Sequence, residues 1–456
     1  MMVAYPELAA IRLGFGLSPL IPPPTDAAAV LASVASAAPD AHAVRTQDFR
    51  EATIARAELV QKARDGDEAA RQEAQRQRDE VVERNGHAVQ RRFARAVGDP
   101  AGFGERLVQF WADHFTVRGG NPFQILLANA FIDEAIRPHL NGHFADLLFA
   151  ADTHPMMLGY LDQNSSVGPR SRSARNRPDR KLGLNENLAR EMIELHTLGV
   201  DGDYGQRDVR QLAKLLTGLR FNARRDEIFL PQLAEPGAET VLGKSYGGDG
   251  EADLGDIRAA MTDLALHPST AEHLSRKLVV HFVDDDPPED LVRRLTAAWQ
   301  DSDGHLPALY AILVEAPELE THFRKKVRQP FDFIVASVRA LGLTGDDVLG
   351  LELTKARNWL QYPMTGMGQR WGMPVGPDGW PEGASSWATP QGLAARIQWS
   401  LRFTPRLQPD LPQPEAFLAA ALGSTASEAL QWAVPKAETA REAVMIVLAS
   451  ADFNRR

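Results

Sequence analysis

The sequence contains no cysteine, and this absence removes several chemistries at once. A chain of 456 residues without cysteine has no disulfide bond, no thiol nucleophile and no cysteine-ligated zinc site. It also lacks any uncharged apolar stretch of the length that spans a bilayer, and its opening residues, MMVAYPELAAIRLGFG, do not have the pattern of a secretory signal. We therefore expect a cytoplasmic protein with no membrane span.

Basic residues are too few for a nucleic-acid-binding protein. The formal net charge is −10, whereas a protein that neutralises phosphates normally carries a basic face. We therefore expect no nucleic-acid partner. Apolar residues make up 44% of the chain, which is ordinary for a protein that buries its own core, so no structural metal is needed for folding.

Helical patterns recur along nearly the whole chain and predict a mainly α fold that forms a single multi-helix globular unit. Residues 1–100 form an N-terminal segment, and residues 101–456 form the helical body. In the first segment, Ala, Arg, Glu and Gln dominate from about residue 46 to 97, and Asp65-Gly66-Asp67 interrupts them. This pattern predicts a charged, well solvated helical hairpin arm. In the body, Thr153 is expected to cap a helix that has Pro155 in its first turn.

A Gly/Pro/Trp-rich loop follows in the C-terminal part, at residues 362–390. Neither a helix nor a central strand persists through so many glycines and prolines. Three of the eight tryptophans of the chain nevertheless lie here: Trp371, Trp380 and Trp387. We expect this loop to pack over the helical body or to line a binding groove.

The helix with the sequence LNENLAREMIELHTLGV carries the main candidate site. On a helical wheel Asn187, Glu191 and Glu194 flank the apolar stripe, and Glu191 lies nearest to it. Burial raises the pKa of a carboxyl group, which suits a general acid or base, and two carboxylates beside an amide also suit a metal. The ordinary alternative for Glu194 is an ion-pair ladder, because Glu186, Arg190 and Glu194 are spaced four residues apart.

Two histidines are further candidates. His114 shares a helical face with Leu107 and Trp111 and should point inward, where a histidine is more often a hydrogen-bonded core residue than a ligand. On the wheel His196 lies on a different side of its helix from Glu191 and would need a fold-back to join the same site. With that fold-back, Glu191, Glu194 and His196 would be the ligands of a divalent metal.

Asp162 and Asn164 follow the end of a predicted helix, where such residues commonly form turns. As site residues, Asp162 would be the second carboxylate and Asn164 a substrate ligand. The basic run PRSRSARNRPDRK comes next and is typical of a solvated loop. Because it leads into the helix of Glu191, it would also hold an anionic group of a substrate.

Eight segments occur in an order that resembles a known family: FWADHFTV, HPMMLGYLDQN, GLNENLAREMIELHTLGV, YGQRDVRQLAKLLTGL, HPSTAEHLSRKLVVHFV, KVRQPFDFIVASVRALG, GPDGWPEGASSW and LASADFNRR. From Arg12 onward the chain resembles the bacterial family known as domain of unknown function 1800. The resemblance implies one continuous helical unit and a partner protein from a sulfatase-like family that is often encoded beside it. It also implies that several candidates lie in signature segments: His114, Asp162, Asn164, Asn185, Glu186, Asn187, Arg190, Glu191, Glu194 and His196.

Two functions follow as hypotheses. The first is an enzyme, either a hydrolase or a lyase, that acts on a polar substrate of anionic or carbohydrate-like character. Its reaction would proceed with or without a metal. Its catalytic residues would be Glu191, Asp162 and His114, and its substrate-binding residues Asn187, Asn164, Arg190, Trp380 and Trp387. The alternative is a non-catalytic helical adaptor for a partner protein, which predicts an exposed apolar patch around residues 371–387 and no cavity near Glu191.

Overall fold

Helices account for most of the regular structure in the computed structural model, which describes residues 3–179, 182–225, 227–248 and 253–456. The predicted mainly α fold is confirmed. The helices are α1 (Tyr5–Arg12), α2 (Ala27–Ser36), α3 (Thr46–Arg64), α4 (Glu68–Gly98), α5 (Phe103–His114), α6 (Pro122–Phe131), α7 (Phe144–Asp152), α8 (Pro155–Tyr160), α9 (Arg172–Arg175), α10 (Asn187–Glu191), α11 (Gln206–Leu215), α12 (Leu254–Ala265), α13 (Pro268–Phe282), α14 (Glu289–Asp301), α15 (Leu306–Val314), α16 (Glu318–Thr321), α17 (Pro330–Ala340), α18 (Gly345–Leu349), α19 (Leu353–Ala356), α20 (Pro363–Gly366), α21 (Ala384–Trp387), α22 (Pro390–Leu407), α23 (Pro414–Leu422), α24 (Glu428–Ala433), α25 (Ala440–Ala449) and α26 (Ala451–Asn454).

Three π-helical turns and one small hairpin complete the regular elements that bear on the site. The π-helical turns are Ile132–Ile136, Met192–Thr197 and Arg357–Gln361. The strands β1 (Glu239–Val241) and β2 (Lys244–Tyr246) pair in antiparallel fashion. None of the helices in the described part of the chain is both long and apolar enough to cross a membrane.

The predicted arm is an antiparallel pair formed by α3 and α4. It breaks at the predicted Asp-Gly-Asp, where Asp67 caps α4 by accepting a hydrogen bond from the backbone N–H of Ala70 at 3.0 Å. Helix α3 has no buried residue, and its solvated surface agrees with its charged composition. The second half of α4 behaves differently, because Val89 and Phe93 are buried against the body. Helix α4 therefore joins the arm to the rest of the protein.

The buried apolar side chains of the described residues form two large hydrophobic cores and one small cluster of Ala10, Ile11 and Leu17. The first core is built from side chains between Leu8 and Leu319 and includes Val81 of α4. The second combines Phe15 and the C-terminal half of α4 with side chains from Phe331 onward. Several arginine side chains are also less than 2% exposed: Arg12, Arg106, Arg328, Arg339, Arg396 and Arg456.

Histidine rather than threonine caps two of the helices beside the site. His154 precedes Pro155, and its Nδ1 accepts a hydrogen bond from the backbone N–H of Met156 at 3.1 Å. His267 caps α13 in the same way at 3.2 Å. The expectation for Thr153 was wrong, because its hydroxyl donates to the carbonyl of Phe149 in the preceding helix at 2.6 Å and is not free to cap.

Candidate functional site

A cavity of about 580 Å³ opens at the boundary between the two cores. This volume is in the range of cavities that bind small molecules, and such cavities often lie between packed units. Helix α4 forms one wall, α5 and α6 form a second, and residues 357–374 with the start of α17 form a third. Of the site residues predicted from the sequence, only Trp380 is part of this lining.

Asp113 is the acidic group of this cavity with the most unusual environment. It lies at the end of α5 on the same helical face as Phe110 and Arg106, and burial raises its pKa to about 7. The nearby carboxylates of Glu382 and Asp378 raise it further, while a hydrogen bond from Trp380 and the charge of Lys277 oppose the rise.

The Trp-rich loop holds the Asp113 carboxylate in place. The backbone N–H of Trp380 donates to both carboxylate oxygens, at 3.0 and 3.1 Å. Gly379 has a φ of +83°, and a Cβ at this position would lie 2.7 Å from the backbone oxygen of Asp113. Glycine is therefore needed for the turn and for its close approach to α5.

Lys277 approaches Asp113 from α13 without forming an ion pair with it. Burial lowers the pKa of Lys277, and the charges of Asp113, Glu382 and Asp378 counteract that effect. Its Nζ instead donates to Nδ1 of His114 at 3.0 Å, while Nε2 of His114 donates to the carbonyl oxygen of His196 at 3.2 Å. The contact with Lys277 requires neutral His114, because a protonated imidazole has no acceptor nitrogen, and the pKa of His114 is lowered by burial and by Lys277. His114 is thus a hydrogen-bonded core residue that orients Lys277.

A second cluster anchors the Trp-rich loop beside the cavity. Nε2 of His281 accepts from Nη2 of Arg106 at 2.8 Å, and Nδ1 of His281 donates to Oε1 of Glu382 at 2.6 Å. Lys326 donates to the other Glu382 oxygen at 3.0 Å. Burial would raise the pKa of Glu382, but its interactions with His281 and Lys326 lower it. This cluster fixes the segment that carries Trp380.

Glu191 lies outside the cavity, in a separate group of charged residues. The side chain is half-buried, and burial raises its pKa, as the helical wheel predicted. The charge of His196 acts in the opposite direction and lowers the Glu191 pKa. Residues 192–197 are π-helical with bonds from i to i+5, so a wheel of 100° per residue loses its phase between these two residues.

His196 itself is part of the buried core. Its Nδ1 lies 2.9 Å from Oδ1 of Asp152, and its ring centroid lies 5.9 Å from that of His114. The two histidines singled out in the sequence therefore meet, although far apart in the chain. Both are almost fully buried, at 1 and 2% exposure, so they support other groups rather than face a ligand.

The segment of Asp162 borders the helix of Glu191. Asn185, which precedes α10, donates through Nδ2 to the backbone carbonyl of Asp162 at 3.3 Å. The Asp162 side chain is exposed, and the backbone has a φ of +56°. Asn164 accepts a hydrogen bond from the backbone N–H of Phe221 at 2.8 Å, which is a structural contact. Asn187 is exposed at the start of α10.

The charged residues of this helix form the predicted ion-pair ladder. Arg190 lies 3.6 Å from Glu186 and 3.4 Å from Glu194. Across residues 3–179, 182–225, 227–248 and 253–456, no three His, Cys, Asp or Glu side chains have an arrangement that could hold a metal ion. The ligand set predicted from Glu191, Glu194 and His196 lies within these residues and is not arranged as a metal site.

The three tryptophans of the loop are packed rather than exposed. The ring centroids of Trp380 and Trp387 are 6.0 Å apart, and Trp387 is 2% exposed with its Nε1 donating to the carbonyl of Pro381. Trp371 is stacked on Phe93 at 5.8 Å. Only Trp371 and Trp380 face the cavity. These three side chains do not form the exposed apolar patch that the adaptor hypothesis predicted.

Asp113 and Lys277 were not among the site residues predicted from the sequence, although two residue spacings point to them as candidates. Arg106, Phe110 and Asp113 follow an i, i+4, i+7 pattern that places two charged side chains on one helix face, beside the face of His114. On α13 a second pattern repeats a basic residue every four positions, at His273, Lys277 and His281. Burial lowers the pKa of all three basic groups.

The arrangement belongs to a mainly α protein with a ligand-sized cavity between two cores. The family model described as "protein of unknown function (DUF1800)" matches residues 9–455. The chain therefore belongs to this family, as its ordered motifs predicted. The comparisons found no match among curated proteins or among solved structures.

Proposed function

We propose that this protein is an enzyme, a hydrolase or lyase, that uses Asp113 as a general acid or base on a small polar substrate bound in the cavity. The observation that carries the proposal is the environment of Asp113. A carboxyl group with a pKa near 7 at the wall of a ligand-sized cavity is present in both protonation states at neutral pH, so it can donate a proton or accept one.

The surrounding residues give this carboxyl a defined geometry. The backbone N–H of Trp380 fixes both oxygens of Asp113, and Lys277 supplies a nearby positive charge without neutralising it through direct contact. A developing negative charge on a substrate atom near Asp113 would be stabilised by that ammonium group. His114 acts as a positioning residue, since it holds the Nζ of Lys277 at 3.0 Å.

The enzyme hypothesis is favoured over the adaptor because the Trp-rich loop makes its contacts within the protein itself. Its backbone binds Asp113, its Glu382 binds His281 and Lys326, and Trp387 is buried. A loop committed to these contacts offers little apolar surface to a partner protein. The role of Glu191 as acid or base, with Asp162 as the second carboxylate, stays a prediction from the sequence. The sulfatase-like partner and the cytoplasmic location also stay predictions.

The proposal is tested by titrating the Asp113 carboxyl carbon by NMR in protein labelled with ¹³C-aspartate. The Asp113→Asn variant lacks this resonance and so assigns it. We expect a midpoint close to 7. A midpoint near the ordinary value of about 4 would mean that Asp113 is ionised throughout the neutral range, and the proposed acid–base role would then be abandoned.

Turnover gives the second readout. Chromogenic esters, amides, glycosides and phosphoesters, together with uronides for lyase activity, would be screened with the wild type. Any activity found should depend on pH with an inflection near 7 and should disappear in Asp113→Asn. Activity that survives in this variant would place the chemistry elsewhere.

A further inference from the structure

Arg92 in the wall of the cavity has no hydrogen-bond partner for one of its terminal nitrogens. The residue lies on α4, and its Nη2 is buried without a hydrogen-bond acceptor. Its evident contact is with the ring of Trp371, whose centroid lies 5.7 Å from the guanidinium carbon. Burial lowers the pKa of Arg92 to about 10, which leaves it charged at neutral pH. A buried cation of this kind is costly unless a counter-charge is bound.

The carboxylates nearest to Arg92 are already used by other arginines. Glu105 lies 2.7 Å from Arg95 and 2.7 Å from Arg137. Asp133 lies 3.2 Å from the same Arg137. These two carboxylates act on Arg92 through space and raise its pKa, but neither pairs with it. Arg95 is also paired with Asp40, at 3.1 Å, so among Arg92, Arg95 and Arg137 it is Arg92 whose guanidinium has no direct carboxylate contact.

The rest of the cavity wall does not supply the missing negative charge. Asp332 is paired with Arg106 at 3.3 Å and lies 3.7 Å from Arg456. Asp113 is about half-protonated at neutral pH. Arg370 is exposed at the wall and adds a further cation. The wall thus has an excess of positive charge in a chain that is acidic overall.

The surface beside Arg92 is aromatic. Trp371 is packed on Phe93 and Phe331, with the latter centroid at 5.4 Å, and both Trp371 and Phe331 line the cavity. A flat apolar group would lie well against such a surface, and an adjacent oxyanion would reach the guanidinium.

We propose that Arg92 is the anion-binding residue of the cavity, and that the ligand is a small organic anion with a carboxylate or phosphate head and an apolar ring. The head pairs with Arg92, and the ring lies against Trp371. This inference rests on the proposed function, because it names the substrate class of the same cavity.

Calorimetry with benzoate and its neutral isostere benzamide tests the inference. The wild type should bind benzoate at least about tenfold more tightly than benzamide, and Arg92→Gln should lose this preference. Arg64→Gln, which removes an exposed arginine at the end of α3, is the matched control and should behave as the wild type. Phenyl phosphate distinguishes the two head groups. Equal binding of benzoate and benzamide, or no binding of benzoate to the wild type, overturns the inference.

Thermal stability without a ligand separates a binding role from a structural one. Arg92→Gln removes a buried charge without a paired counter-ion, so its Tm should rise above that of the wild type. A lower Tm would show that Arg92 stabilises the fold, and the inference would fall. The titration of Asp113 is independent of both experiments. If the Asp113 midpoint is near 7 but benzoate does not bind, only the proposed substrate class is refuted. If benzoate binds but Asp113 titrates at its ordinary value, only the proposed acid–base role is refuted.

Discussion

The raised pKa of Asp113 predicts that replacing it with asparagine stabilises the protein at alkaline pH. In the folded protein this carboxyl is buried and keeps its proton until about pH 7, whereas in the unfolded chain it ionises near pH 4. Asparagine keeps an oxygen that accepts the N–H of Trp380 but has no charge to bury. The substitution therefore removes a cost that exists only when the carboxyl is ionised.

The sign and size of the effect follow from proton linkage. Between about pH 4 and pH 7 the folded state binds more protons at Asp113 than the unfolded state, so the contribution of this group to stability falls as pH rises. A shift of roughly three pKa units corresponds to about 4 kcal/mol. Lys277 already reduces the shift, since its charge lowers the Asp113 pKa. We expect Asp113→Asn to match the wild type near pH 4 and to be more stable by about 3–4 kcal/mol at pH 8.

Thermal unfolding at pH 5 and pH 8 would measure the effect. For a chain of this size each kcal/mol moves Tm by about 1–2 °C, so the Tm difference should grow by about 3–6 °C between the two values. Asp303→Asn is a suitable control, because Asp303 is exposed and its φ of +51° is tolerated by asparagine. If Asp113→Asn is less stable at both pH values, the carboxylate is a charged anchor and the argument from desolvation fails.

Three further changes test the surroundings of the cavity. Lys277→Met should raise the Asp113 pKa above 7, because a nearby ammonium group is lost. A lower midpoint in the ¹³C titration would contradict the placement of Lys277 beside Asp113. Glu382→Gln leaves His281 without its carboxylate and Lys326 with Asp285 alone, and it should cost about 2 kcal/mol in urea unfolding, with faster trypsin cleavage after Arg370. Unchanged cleavage would mean that other contacts hold the loop. His154→Ala should lower the free energy of unfolding by about 1 kcal/mol or more, because His154 caps α8. The loss should be larger than that caused by Thr153→Ala, and the opposite order would support a threonine cap.

The hairpin arm and the ion-pair ladder could be predicted because local rules decide them. Asp65-Gly66-Asp67 combines a flexible glycine with a capping residue, and α4 starts directly after it. Glu186, Arg190 and Glu194 need only α-helical spacing to meet. Neither feature depends on distant parts of the chain.

The site depends on contacts that no local rule contains. Asp113 becomes unusual only because the loop at Gly379 packs on α5 from more than 260 positions away. The helix of Glu191 changes to π-helical spacing at Met192, so a wheel of fixed period does not give the direction of His196. A period of 3.6 residues was the wrong assumption there, whereas the inward direction of His114 was predicted well because α5 is regular.

Helix α4 contributes to both hydrophobic cores and also forms one wall of the cavity between them. A rotation of one core relative to the other would therefore widen or narrow the space in which a ligand sits. The guanidinium of Arg357 packs directly on Gly86 of α4, so a side chain at that position would clash with it. A ligand that fills the cavity would contact α4 together with side chains of both cores, and its binding should slow hydrogen exchange along α4.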